Sequence, residues 1–122
     1  MVKNPAFQEG SVPRFKNKDN DSLDNHLHSL AFLAKSLSDE NRLRILLCVS
    51  NGKKSVNRIV EELKLSQPLV SHHLKELKHS LLVRVERAGP FIYYELTDPK
   101  VLHILEAMKL LASNLLSQRK TF

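Results

Sequence analysis

The 122-residue chain is 42% hydrophobic, contains one cysteine and no tryptophan, and carries a formal charge of +6. That length fits one domain with one core, the charge favours a polyanionic partner, either nucleic acid or an anionic membrane surface, and Cys48 alone excludes an intramolecular disulfide framework. No apolar run approaches the ~20 residues that cross a bilayer, and Lys3, Arg14, Lys16 and Lys18 interrupt the stretch where a secretion signal needs its apolar core, so the expected compartment is the cytoplasm.

Residues 1–20 are polar, include Pro5, Gly10 and Pro13, and show no period; they are read as a flexible arm. The expected domain covers 21–118, with 119–122 as a tail. Leu23, Leu27, Leu30, Ala34 and Leu37 recur at three- and four-residue steps and define the first helical face. Ser38 and Asp39 offer cap oxygens to a second helix from Glu40 to about Val49, which stops at Asn51-Gly52. Ser55 caps a third, with Val56, Ile59, Val60 and Leu63 as its buried stripe. After the break at Lys64-Leu65, Ser66 caps a fourth helix, whose Pro68 sits in the first turn, where a missing N–H costs least.

The fourth helix buries Val70, Leu74 and Leu77, with Leu81 extending the apolar line past its end; Gln67, Ser71, His72, Lys75, Lys78 and His79 form its outer face. The period then changes. Residues 82–87 and 91–96 are rich in β-branched and aromatic types, and Ala88-Gly89-Pro90 between them supplies a turn in which Gly89 takes a positive φ. Asp98-Pro99 opens a last helix with the stripe Val101, Ile104, Leu105, Met108, Leu111, Ala112 and Leu115, and a second strip of Leu102, Leu110 and Leu116. The first and last helices are apolar over too wide an arc for a monomer of this size to cover, which points to a homodimer.

Helix, tight break, helix and hairpin together form a unit that holds its second helix proud of the surface. Such a helix fits a DNA major groove about 12 Å wide. Ser66 leads it; Gln67 has the amide that pairs with adenine, and Leu69 suits a thymine methyl. Ser71, His72 and His73 offer hydrogen bonds to bases or phosphates, and one of the two histidines has a plain alternative as a surface residue or a core-edge side chain without a role at DNA. Lys75 and Lys78 suit phosphates, as do Arg84 and Arg87 on the hairpin. A histidine facing phosphate binds better when protonated, so affinity is expected to rise as pH falls through ~6.5.

At these residues the chain resembles a known family. The run Leu33-Ala34-Lys35-Ser36-Leu37-Ser38-Asp39-Glu40-Asn41-Arg42-Leu43-Arg44-Ile45-Leu46 is similar to the opening helices of the ArsR/SmtB regulators. Ser66-Gln67-Pro68-Leu69-Val70-Ser71-His72-His73-Leu74 is similar to their recognition helix, and Tyr93-Tyr94-Glu95-Leu96 to the end of their wing. The likeness covers roughly residues 27–110. It implies a mainly α, winged helix-turn-helix fold of five helices and a two-stranded wing, a homodimer formed by the first and last helices, and repression from an inverted-repeat operator in double-stranded DNA. Pro90 stands where relatives often carry Arg or Lys, and Ser80 where a helix-ending glycine is usual.

Most of the family's metal-ligand positions are occupied here by other residue types. Ser55 and Asn57 stand where its arsenic and cadmium sensors have Cys-x-Cys. Of its zinc site only Asp98 remains, with Lys100, Leu111 and Asn114 at the other positions, so no metal or other cofactor is expected. His26 and His28 point to different sides of a helix. His103 and Glu106 share a face but make a solvated pair more readily than half a metal site. Cys48, in an apolar run, reads as a small buried hydrophobe. Two readings stay open beside the repressor: a metal- or redox-responsive sensor with a non-standard site, and a winged-helix module for protein or RNA. An enzyme is not expected: there is no glycine-rich phosphate loop, and Ser71-His72 is no dyad because adjacent helix residues do not face each other.

Overall fold

The computed structural model describes residues 22–119. The arm at 1–20 and most of the tail lie outside the described residues. Contacts divide the chain into two units, with the boundary between Ala34 and Lys35. In the first unit a 3-10 turn, Leu23–His26, runs into α1 (Leu27–Ser36). Ser22 gives no side-chain cap, and Asn25 N–H bonds its carbonyl at 3.1 Å, so the chain enters through the tighter i→i+3 turn in place of a regular first α turn. Leu23, Leu27, Leu30, Phe32 and Leu33 are exposed.

The second unit contains α2 (Glu40–Val49), α3 (Val56–Leu63), α4 (Gln67–His79), the strands β1 (Val83–Ala88) and β2 (Phe91–Leu96), and α5 (Lys100–Leu116). Side-chain caps start three of the helices. Asp39 accepts from Arg42 N–H at 3.0 Å, Ser55 from Arg58 N–H at 3.2 Å, and Ser66 from Leu69 N–H at 3.3 Å. Asp98 does the same for α5 from just outside, accepting from Lys100 N–H at 2.9 Å. Lys64, at φ 55°, ends α3 in a left-handed residue and makes the break before α4 tight.

Ile45, Leu46 and Val49 of α2, Ile59 of α3, Val70, Leu74 and Leu77 of α4, and Val83 of β1 are all but inaccessible and form the core. Full burial of such side chains contributes about 1.5–3 kcal/mol each. Helices α2 and α3 thus hold one face of α4 and leave the other to solvent.

The end of α4 differs from expectation. Leu81 does not continue the apolar line: it is 75% exposed, and Leu82 fills the core in its place. Leu81 adopts φ 64°, its N–H bonds the Lys78 carbonyl at 3.0 Å, and Leu82 N–H reaches back to Leu77 at 3.0 Å. This is a Schellman closure whose left-handed position holds leucine where glycine is the usual residue. Ser80 closes its own side, its hydroxyl donating to the Leu77 carbonyl at 3.1 Å.

β1 and β2 pair antiparallel, with Ala88 opposite Phe91, so the loop is Gly89-Pro90 alone. Gly89 at φ 61°, followed by a proline fixed at negative φ, has the sign pattern of a II′ hairpin turn. Lys54 adds a one-residue bridge to Tyr94, with N–H···O distances of 2.9 and 2.8 Å. On α5 only Val101 is buried, and Ile104, Met108, Leu111 and Leu115 are about half exposed. Leu43 and Leu47 of α2 face Leu105, Met108 and Ala112 of α5 across an apolar groove of about 400 Å³. Among the described residues no helix is long and apolar enough to cross a membrane.

Candidate nucleic-acid interface

Helix α4 presents Gln67, His72, Lys75, Glu76, Lys78 and His79 to solvent, with Leu69 and Ser71 half-buried at the edge. Gln67 Nε2 donates to Ser71 Oγ at 3.1 Å, one turn on, so the two polar groups stand together at the leading end. Ser66 is exposed, but its hydroxyl is already engaged as the N-cap. Among the described residues neither Lys75 nor Lys78 forms an ion pair.

His73 departs from the expected set. Its side chain is turned inward, 6% exposed overall, among Val70, Leu74 and Leu77 of the same helix face. Nε2 lies 3.6 Å from Asp39 Oδ2, and Nδ1 is buried with no hydrogen-bond partner. Burial holds its pKa below the ordinary histidine value, outweighing the attraction of Asp39. The phosphate-facing role and the rising affinity at low pH therefore do not suit His73. His72, its neighbour, is exposed.

On the wing, Arg84 lies opposite Glu95 and its Nε bonds Oε2 at 3.1 Å, whereas Arg87 lies opposite Ile92. Glu86 is paired with Lys53, whose ammonium also sits 5.3 Å from the centre of the Tyr93 ring.

Lys53 and Lys54 were not singled out in the sequence, although two adjacent lysines just before the Ser55 cap are a visible signal. They open a hollow of about 460 Å³ with Ser55, Asn57, Arg58, Glu61 and Tyr93. Lys54 and Arg58 both hold Glu62, at 2.8 and 2.6 Å, and their hydrogen bonds bring its carboxyl down to about 2. Cys48 Sγ approaches this network, 3.5 Å from Glu62 Oε1 and 3.7 Å from Lys54 Nζ. Burial pushes its thiol up, away from the reactive thiolate.

The positions of the family's metal ligands are occupied as follows in the fold. The Ser55 hydroxyl caps α3, and Asn57 is exposed. Lys100 brings an ammonium and Leu111 an alkyl group, while His103 is exposed on α5. No group of three or more His, Cys, Asp or Glu side chains converges among the described residues.

The architecture, a capped helix set against two others and followed by a hairpin, has clear relatives. The family model for bacterial regulatory proteins of the arsR family matches residues 39–85, from the α2 cap through α4 into the wing. An HTH-type transcriptional regulator of Methanocaldococcus jannaschii is 38% identical over 77 residues, covering 62% of this chain and 86% of that protein. The chain belongs to the ArsR family. The transcriptional repressor SdpR of Bacillus subtilis is 39% identical over 62 residues, covering 51% of this chain and 69% of its own. A homodimeric winged helix-turn-helix DNA-binding domain from Mycobacterium bovis superposes with a TM-score of 0.68 at 24% identity, over 81% of this chain and 92% of that one; this likeness shows the fold. As an ArsR-family protein the chain is a DNA-binding transcriptional regulator and not an enzyme.

Proposed function

We propose that this ArsR-family chain is a homodimeric, sequence-specific repressor that reads an inverted-repeat operator in double-stranded DNA. The observation that carries the reading is the two-sidedness of α4. Val70, Leu74 and Leu77 fix its inner face in the core, while Gln67, His72, Lys75 and Lys78 stand outward. A rigid helix with an amide and imidazole near its leading end and ammonium groups beyond divides the work as DNA readers do: bases are read by the first groups and phosphates held by the second.

The proposed contact set is Gln67, Leu69, Ser71, His72, Lys75 and Lys78, with Arg87 and the partly neutralised Arg84 on the wing. Ser66 contributes by fixing the start of α4, and His73 stands behind the surface. The functional domain is taken as residues 21–118, acting in the cytoplasm. Dimerisation is supported by the half-exposed Ile104, Met108, Leu111 and Leu115 of α5, because a lone domain seldom leaves so continuous an apolar strip to water. The signal is proposed to be read without the family's metal ligands, since a capping hydroxyl, an ammonium and an alkyl chain do not supply the donors that zinc or a thiophilic ion needs.

Selection of bound sequences from a random duplex pool, repeated at two salt concentrations, tests this. The expected product is an inverted repeat whose half-sites are centred one helical turn, ~34–36 Å, apart, with affinity falling steeply as salt rises. Enrichment of no sequence over random duplex overturns the reading.

A further inference from the structure

The inward histidine of α4 has no part in the base-reading surface, yet it sits in a connected set of groups. Asp39 caps α2 through Arg42 N–H, and Arg42 turns back to donate to the Ser36 carbonyl at 2.7 Å and the Lys35 carbonyl at 3.0 Å, where α1 ends. The α1–α2 turn is therefore closed on itself by one carboxylate and one guanidinium. His73 brings α4 to the same carboxylate, its Nε2 3.6 Å from Oδ2. This polar link joins the α1–α2 turn to α4 across an otherwise apolar contact.

Resting on the repressor reading, we propose that His73 is a positioning residue for DNA recognition: its Nε2–H, held toward Asp39, sets how α4 is seated on α2 and so how Gln67, Ser71 and His72 are presented. His72 is its sequence neighbour on the outer side of the same turn, with ring centres 5.5 Å apart, so how the helix is seated also sets where that outward ring stands.

Geometry also gives the link a direction in pH. With the Nε2 proton directed at Asp39, a second proton would have to sit on Nδ1, which is buried and has no acceptor. An unsatisfied buried N–H is costly. Asp39 and Glu76 favour the imidazolium, Arg42 and His72 oppose it, and burial is the largest influence, holding the pKa below the ordinary value. The uncharged ring is thus the form that seats α4, and acid should unseat it.

His73→Gln and His73→Leu test this. Glutamine keeps an N–H for Asp39 but does not titrate; leucine fills the space without a donor. Binding is read with a labelled duplex carrying the selected sequence, and folding by circular dichroism on the same samples. At about pH 7.5 the folded glutamine variant should bind within about threefold of wild type and the folded leucine variant about tenfold more weakly. Between about pH 7.5 and about 5.5 wild type should lose about tenfold relative to the glutamine variant, a ratio that cancels pH effects common to both proteins. A leucine variant as tight as wild type, or a flat ratio, overturns the proposal.

A second arm needs no DNA. The amide resonances of α4 should move together with His73 protonation in the free wild-type protein and stay still in the glutamine variant; motionless wild-type amides overturn the proposal. If the protein prefers no duplex at all, the repressor reading falls, and this arm alone decides whether His73 seats the helix.

Discussion

Arg84 and Arg87 project from opposite faces of the wing, Arg84 across from Glu95 and Arg87 across from Ile92. The separation of three residues forces this, because side chains on a strand alternate with a period of two. Arg84 forms an ion pair with the Glu95 carboxylate, whereas Arg87 has no ion pair among the described residues. One hairpin cannot lay both guanidinium groups on the same phosphate track. Arg87→Ala is expected to weaken binding of the selected duplex and lower the slope of log affinity against log salt by about 1. Arg84→Ala should change the slope less, and Glu95→Ala should steepen it by freeing Arg84. Anisotropy titrations across a salt series measure all three; equal slopes for the two arginine variants would contradict the assignment.

On α4 the contacts should divide by kind. Ser71 holds the Gln67 amide at 3.1 Å, and on the proposed reading Gln67 exchanges that bond for a base. Gln67→Ala is expected to cost about 1–3 kcal/mol on the selected sequence and to relax preference at one base pair in each half-site. Lys75→Ala and Lys78→Ala should weaken all sequences alike. Repeating the pool selection with each variant distinguishes the two outcomes, and an unchanged preference for Gln67→Ala would remove it from the base-reading set.

Much of this arrangement was legible in the sequence, and the misses have physical reasons. Asp39, Ser55 and Ser66 each precede an apolar period and each cap a helix, because an oxygen at that place satisfies an orphan amide. Gly89 marked the hairpin for a comparable local reason. By chemistry His73 belongs with Ser71 and His72 as a polar residue, but its spacing places it elsewhere. Residues 70, 73, 74 and 77 share one helical face, and position outranked residue type. Charge likewise groups the two wing arginines, although the period of the strand separates them. The Lys54 bridge to Tyr94 left no trace in the pattern, since one residue of strand has no period. Nothing local marks Leu81 as left-handed; that conformation is imposed by Leu82 reaching the core.

Leu81 offers a test of that conformational conflict. A branched side chain at φ 64° carries a steric penalty of about 1–2 kcal/mol, which glycine escapes while losing more chain entropy on folding. Leu81→Gly should therefore leave the fold unchanged or stabilise it by up to about 1 kcal/mol, although it removes an apolar side chain. Ser66→Ala, at the opposite end of α4, should destabilise by about 0.5–2 kcal/mol through loss of the Leu69 cap bond. Urea unfolding at neutral pH measures both changes. A clear loss of stability in Leu81→Gly would mean that its exposed side chain has a partner on the folded protein or in the dimer.

Glu62 sets the acid limb of stability. Hydrogen bonds from Lys54 and Arg58 bring its carboxyl from 4.5 to about 2 in the folded chain. A carboxyl depressed on folding contributes stability that is fully present above its unfolded value and disappears as pH falls through its folded one. The window is therefore pH 4.5 down to about 2. Asp39 is also held below its ordinary value, chiefly by the Arg42 amide. Comparing wild type with Glu62→Gln cancels the Asp39 contribution. The wild-type advantage in urea midpoint should be constant from about pH 7 to about 5 and shrink progressively below that. It should be modest throughout, because Arg58 is two-thirds exposed and Glu62 one-third, so solvent screens the pair. Lys54 is the more enclosed partner and is tied to Tyr94 through its backbone, so Lys54→Met should flatten the acid limb more than Arg58→Met does.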